Sequence, residues 1–375
     1  MTNEFLHMTV MIFFVSLIIS GLLVLGSRVA PKYFVRPQDL KAKQAAHEKP
    51  TSRLGGIAVL CGAAVMFLFA LPPGFDPALK LLFLSVLPVL IAGLAEDCGL
   101  HVSPRVRLAA AAAASLLAAA LLGHWVTRAD IPLVDLALAI PVIGLLVTAI
   151  GGAGVSHSFN LIDGVNGLSS GVAALAAIGL AAIAHKAGEP EISLVALLLV
   201  AAILGFMVFN WPMGAVFLGD AGAYSLGHIL GWLGILLVAR VPETSMLAIT
   251  GLFFWPLADT FFAIYRRRRA GRPTDQPDRL HFHQLIMRGL EICFVGRENR
   301  QIANPLTTAL LLPIIAVGVL GHVLLWDNPL AATALWAVQG TGFVLLYLIG
   351  IRAVNVRRKA KWQRPENHHH PLHEH

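Results

Sequence analysis

Residues Ile192 to Phe209 read ISLVALLLVAAILGFMVF, an apolar run without a single charged side chain. A chain needs about 20 such residues to cross the hydrocarbon core of a bilayer as a helix. Inside lipid it must be a helix, because every backbone N–H and C=O has to find its partner within the segment. Working outward, similar stretches occupy Met8 to Gly26, Leu54 to Leu71, Leu79 to Ala95, Leu108 to Leu122, Leu133 to Ala153, Leu168 to His185, Gly222 to Val238, Ser245 to Tyr265, Thr308 to Leu325 and Ala331 to Ile351. The count is about eleven spans. Breaks such as Leu71-Pro72-Pro73-Gly74 and Arg240-Val241-Pro242 supply turn chemistry between neighbours.

The whole chain fits that reading. Of its 375 residues 57% are hydrophobic and only 13% charged, with a mean hydropathy of +0.74, too little charge for a water-exposed surface. A soluble globular enzyme, a disordered chain and a disulfide scaffold are excluded; Cys61, Cys98 and Cys293 are scattered thiols. The net charge of +7 does not point to nucleic acid, since the basic residues form short blocks between apolar runs. Glu4 precedes the first run and no Lys or Arg occurs before Arg28, so this run reads as a retained span rather than a cleaved signal.

Assigning alternate loops to one side gathers 24 of the 28 Lys and Arg residues on it. The positive-inside rule makes that side cytoplasmic, with the N-terminus outside and the C-terminus inside. The expected fold is therefore all-α and polytopic, with a transmembrane domain over 1–352 and a basic, His-rich cytoplasmic tail over 353–375. The tail, including His368-His369-His370, reads as a mobile polar segment without a catalytic role.

Glu96, Asp97, Asp163, Asp220 and Asp259 all fall at predicted cytoplasmic ends of apolar segments. Carboxylates near hydrocarbon are costly, and a group of them at one face marks a functional site whose natural partner is a cation. In His157-Ser158-Phe159-Asn160-Leu161-Ile162-Asp163-Gly164-Val165-Asn166-Gly167-Leu168 the spacing of Asn160, Asp163 and Asn166 places three oxygen-bearing side chains on one face of a helix. Phe217-Leu218-Gly219-Asp220-Ala221-Gly222 sets an acid in a glycine-flanked turn, where it also suits a helix start. Glu96-Asp97 is an adjacent acidic pair, and paired carboxylates ask for a metal or a strong donor. Hard oxygen ligands favour Mg²⁺ or Mn²⁺.

The basic loop from Arg266-Arg267-Arg268-Arg269 through Arg279-Leu280-His281-Phe282-His283-Gln284 adds a donor-rich strip suited to phosphate or diphosphate. The four-Arg run itself reads as an interfacial anchor. Acidic metal ligands beside cationic donors suit phosphoryl transfer to a membrane lipid. No Walker-type run occurs, which argues against an ATP-driven pump. An ion-coupled secondary transporter is the rival class, although its site would lie near the bilayer midplane.

From His47-Glu48-Lys49-Pro50-Thr51-Ser52-Arg53-Leu54-Gly55-Gly56 to His281-Phe282-His283 the motif order resembles the polyprenyl-phosphate N-acetylhexosamine-1-phosphate transferases, glycosyltransferase family 4. The resemblance implies ten or eleven spans, Mg²⁺, and transfer of a sugar-1-phosphate from a UDP-amino sugar such as UDP-GlcNAc to undecaprenyl phosphate. UMP is released, and cell-envelope polysaccharides such as O-antigen lipopolysaccharide begin from the product.

By the same resemblance Asp220 is the principal metal ligand, with Asp163 and Asn160 in the nucleotide and metal pocket. Asp97, with Glu96 beside it, is the acid nearest the attacking lipid phosphate. Lys49 lies near the nucleotide, and His281 and His283, with Arg279 beside them, match a histidine motif that contacts the diphosphate. Relatives are often dimeric, but no residue here marks a homodimer face. Two positions depart from the family pattern: Glu96 stands for the first Asp of an Asp-Asp pair, and Asn166 for an acid, which removes a charge there.

Overall fold

The computed structural model describes residues 2–36, 51–65, 74–272 and 280–362, and within them the architecture is helical throughout. The helices are α1 Thr2–Val29, α2 Pro31–Phe34, α3 Gly55–Val65, α4 Pro77–Leu84, α5 Leu87–Asp97, α6 Pro104–Leu122, α7 Pro132–Leu138 and α8 Pro141–Leu161. They continue as α9 Leu168–Lys186, α10 Pro190–Asn210, α11 Gly219–Arg240, α12 Met246–Gly251, α13 Phe254–Arg269, α14 Phe282–Leu290, α15 Arg300–Leu324 and α16 Pro329–Trp362. A parallel bridge between Ser52 and Val216 is the only strand-like pairing among the described residues.

Nine helices among the described residues are long and apolar enough to cross a bilayer, so the chain is a multi-pass membrane protein. The stretch expected over Leu54 to Leu71 is described as a helix only to Val65. Ser245 to Tyr265 is two shorter helices rather than one continuous rod. Pro256 explains the break, since it has no N–H to give the Leu252 carbonyl one turn earlier. Pro88 does the same between α4 and α5.

α11 is the axis of the bundle. It is buried almost from end to end, packed by α3, α5, α8 and α9. Small residues let those neighbours close on its first turns: Gly56 lies against Gly222, and a Cβ on Gly93 would stand 2.5 Å from the Ala221 Cα. The periphery is the reverse. α1 and α16 turn Leu22, Leu25, Leu330, Val338 and Ile349 outward, the surface that acyl chains solvate. This packing fixes the N-terminus of α11 in the middle of the bundle's cross-section.

Candidate active site at the start of the central helix

The chain reaches α11 through a backbone clasp. Gly55 and Gly56 donate their N–H groups to the Phe217 and Leu218 carbonyls at 2.9 and 2.8 Å, and Phe217 N–H donates to Ser52 O at 2.9 Å. The clasp binds the Thr51–Gly56 motif to the Phe217–Gly222 motif. Gly219 then turns the backbone with φ +72°, in the left-handed region, and a Cβ there would run into Arg53 O and Asp97 Oδ2. Glycine is required at this position twice over.

Asp97, at the end of α5, covers the helix start so formed. Its Oδ1 accepts the Asp220 N–H at 3.0 Å and its Oδ2 the Ala221 N–H at 2.8 Å. These are orphan donors of a helix N-terminus, where a carboxylate also meets the positive end of the helix dipole. Arg36 pairs with Asp97 Oδ1 at 3.3 Å and with Glu96 Oε1 at 3.2 Å. Glu96 Oε2 accepts the Val102 N–H at 2.8 Å and so ties down the turn into α6.

Asp220 is 7% exposed and held on both oxygens: Asn160 Nδ2 donates to Oδ1 at 3.0 Å, and Arg107 pairs with Oδ2. Tyr224, one turn along α11, donates its hydroxyl to Asn160 Oδ1 at 3.3 Å, and its ring lies 4.7 Å from His157. Asp163 Oδ2 accepts the Gly219 N–H at 3.3 Å. Removal from water is the chief cause that pushes the Asp163 pKa well above the usual carboxylate value. Arg53 pulls it down, the charges of Asp220 and Asp97 push it further up, and the Gly219 N–H lowers it again.

Asp97, Asp163 and Asp220, from three segments that together span more than a hundred residues of sequence, thus converge on the backbone of Gly219 to Ala221. Asn160 joins them, but not through the helical face expected. α8 ends at Leu161, and residues 162–167 form a turn in which the Asp163 N–H donates to Asn160 O at 3.2 Å. Asn166 therefore points elsewhere. Its Nδ2 donates to Pro212 O, while Asn304 and Thr308 of α15 hold its backbone N–H and C=O at 2.8 and 2.7 Å.

The two histidines form a neighbouring group. Asp259 of α13 lies 3.3 Å from the Nδ1 atoms of both His281 and His283, and a Cβ on Gly164 would stand 3.1 Å from His283 Nε2. Lys49 and Arg279 lie outside the described residues, as does the chain beyond 362. Arg36, Arg107 and Tyr224 touch these residues without standing out in the sequence. The signal for Arg107 was its place ten residues after the acidic pair, on the same side of the membrane.

The fold and this cluster define a class: a polytopic helical membrane protein with buried acids and arginines gathered at one end of its central helix. Residues 79–238 match the glycosyl transferase family 4 profile. It is 27% identical over 283 residues, 74% of each chain, to the undecaprenyl-phosphate alpha-N-acetylglucosaminyl 1-phosphate transferase of Escherichia coli (strain K12). It is 25% identical over 250 residues to a probable undecaprenyl-phosphate N-acetylglucosaminyl 1-phosphate transferase of Bacillus subtilis (strain 168), covering 66% of this chain and 69% of the relative. The decaprenyl-phosphate N-acetylglucosaminephosphotransferase of Mycobacterium tuberculosis (strain ATCC 25618 / H37Rv) is 23% identical over 351 residues, 86% and 83% of the two chains.

Proposed function

We propose that the chain transfers an N-acetylhexosamine-1-phosphate from a UDP-sugar, with UDP-GlcNAc the first candidate, to a polyprenyl phosphate such as undecaprenyl phosphate. The observation that carries this reading is the meeting of Asp97, Asp163, Asp220 and Asn160 with Arg36 and Arg107 at the start of α11. The named relatives agree with it. A transporter reading has no support: the relatives are transferases, and the acids sit at a helix end rather than at mid-span.

The reaction exchanges one phosphoanhydride for another. A lipid phosphate oxygen attacks the sugar-bearing phosphorus of the UDP-sugar, a new P–O bond forms, the bond to the bridging oxygen breaks, and UMP leaves with that oxygen. Positioning and charge neutralisation supply most of such catalysis. Arg107 and Arg36 bring cationic donors to the acids, and Asn160 orients the Asp220 carboxylate.

The donor set suits Mg²⁺. No group of three or more His, Cys, Asp or Glu that could hold a metal occurs among the described residues. Mg²⁺ in phosphoryl-transfer sites, however, usually takes only one or two carboxylates together with substrate phosphates and water. Asp163, on the Gly219 N–H, and Asp220, the next residue along the chain from Gly219, are hard oxygen donors whose repulsion a divalent ion would relieve. Bound there, Mg²⁺ or Mn²⁺ would neutralise diphosphate oxygens. The basic loops argue for a cytoplasmic site in a bacterial inner membrane, with the lipid acceptor arriving from the leaflet.

The test is UMP release from UDP-GlcNAc by purified protein, expected only when polyprenyl phosphate and Mg²⁺ are both present. Release without the lipid, or none with a panel of UDP-amino sugars, contradicts the reading.

A further inference from the structure

Asp259 is a carboxylate without a role in the chemistry above. It is 1% exposed, on the second turn of α13, and among the described residues its hydrogen-bond and ion-pair partners come from one tripeptide. Its Oδ1 accepts the Phe282 N–H at 3.0 Å; its Oδ2 lies 3.3 Å from Nδ1 of His281 and 3.3 Å from Nδ1 of His283. The two imidazoles stack with centroids 5.7 Å apart and planes 18° from parallel. Phe282 between them packs on Trp255, one turn before Asp259 on the same helix, with centroids 5.0 Å apart. Helix, carboxylate and tripeptide form one rigid unit.

The unit has a direction. His283 is fully buried, and with Nδ1 turned to Asp259 its other nitrogen, Nε2, makes no hydrogen bond among the described residues. That atom faces Gly164, next to Asp163, at a spot where a Cβ would stand 3.1 Å away. A buried polar atom without a partner is costly, and here it is aimed into the turn that carries an acid of the candidate site.

We propose that Asp259 is a positioning residue that fixes the ring orientation of His281 and His283, so that His283 Nε2 meets an anionic phosphate oxygen of a nucleoside diphosphate over Gly164. The proposal rests on the transferase reading. It assigns Asp259 no contact with substrate: a carboxylate behind an imidazole sets which nitrogen faces the ligand, and loss of such a backing group weakens what the ring holds. Asp259→Asn keeps the shape and the acceptor for Phe282 N–H. It also turns N–H groups toward the two Nδ1 atoms and so releases the rings.

The experiment compares wild type, Asp259→Asn, His283→Gln and the double variant of the full chain. Measured are KM for UDP-GlcNAc, KM for undecaprenyl phosphate, kcat, and binding of UDP alone by calorimetry. Asp259→Asn is expected to weaken UDP binding and raise the nucleotide KM by about tenfold while leaving the lipid KM unchanged. In the His283→Gln background it adds nothing further, the non-additivity of residues acting as one unit. Additive effects, or equal changes in both KM values, overturn the proposal. Should Asp259→Asn not fold, Asp259→Glu shifts the carboxylate by one methylene, and an unchanged UDP affinity there overturns it as well. If wild type releases no UMP, the transferase reading fails, and UDP calorimetry still decides the part played by Asp259.

Discussion

The two ends of α11 both carry charge, and they use it differently. At its C-terminus Arg240 bridges Asp76 and Glu189, and nearby Arg128 pairs with Asp130 at 3.2 Å while Asp130 accepts the Ser245 hydroxyl at 2.8 Å. Arg128 and Asp130 share one loop, and the other contacts tie separate connecting segments together, with arginine answering carboxylate. At the N-terminus three acids press together from three parts of the chain, and their hydrogen bonds run largely to the backbone of α11 itself. One end closes seams; the other keeps three acids close together even with Arg36 and Arg107 beside them, the arrangement that makes it the candidate site.

The sharpest way to break this contrast is Asp220→Asn, which keeps the size and the contact with Asn160 but removes the charge. It should lower the rate of lipid-linked product by about a thousandfold at saturating Mg²⁺. Asp97→Asn should lose nearly as much activity. It should also destabilise the fold by about 2 kcal/mol, because Asn offers only one acceptor where Asp97 serves two N–H groups and Arg36. A melting temperature unchanged in Asp97→Asn would separate the acid from the helix start it covers.

Asp163→Asn sharpens the comparison through pH. A carboxyl whose folded pKa lies above its unfolded value binds its proton more tightly in the native state, so stability falls as pH rises from about 4 through the folded value. Without added divalent ion, Asp163→Asn should therefore be more stable than wild type at neutral pH, and the two should converge near pH 4. Parallel pH–stability curves in chelator would refute the strain assigned to this acid. The smallest effect is expected at the other end. Arg240→Gln removes two partly exposed ion pairs and should cost about 1 kcal/mol while leaving turnover as it was.

The helical, many-span architecture was legible because a hydrocarbon core imposes length and composition on each crossing, and Ile192 to Phe209 could mean little else. The acids that meet at the start of α11 were legible for the same reason, as costly groups at apolar borders. The path by which they meet was not. Ser52 pairs with Val216 through backbone atoms alone, which leave no mark in side-chain types. Asn166 illustrates the opposite error. Its spacing from Asn160 suits a helix, but Gly167 with φ +76° opens α9 only after a turn, and the side chain goes to Pro212. Arg36 and Arg107 looked like topology signals, since a lysine or arginine count sees charge and not where the guanidinium reaches. Asp259 was seen as an acid at a membrane border, but its pairing with a tripeptide more than twenty residues later required the packing of α13 against α14's first turn.

The clasp between Thr51–Gly56 and Phe217–Gly222 also orders events during synthesis. Helix α3 emerges from the ribosome long before α11, so its two glycine N–H groups must wait, solvated or borrowed by other partners, while seven further helices are threaded into the bilayer. Only when the Phe217 and Leu218 carbonyls arrive can the early segment lock and Asp97 find the N–H groups it covers. A nascent chain halted before α11 would carry most of the membrane embedding and none of the assembled cluster.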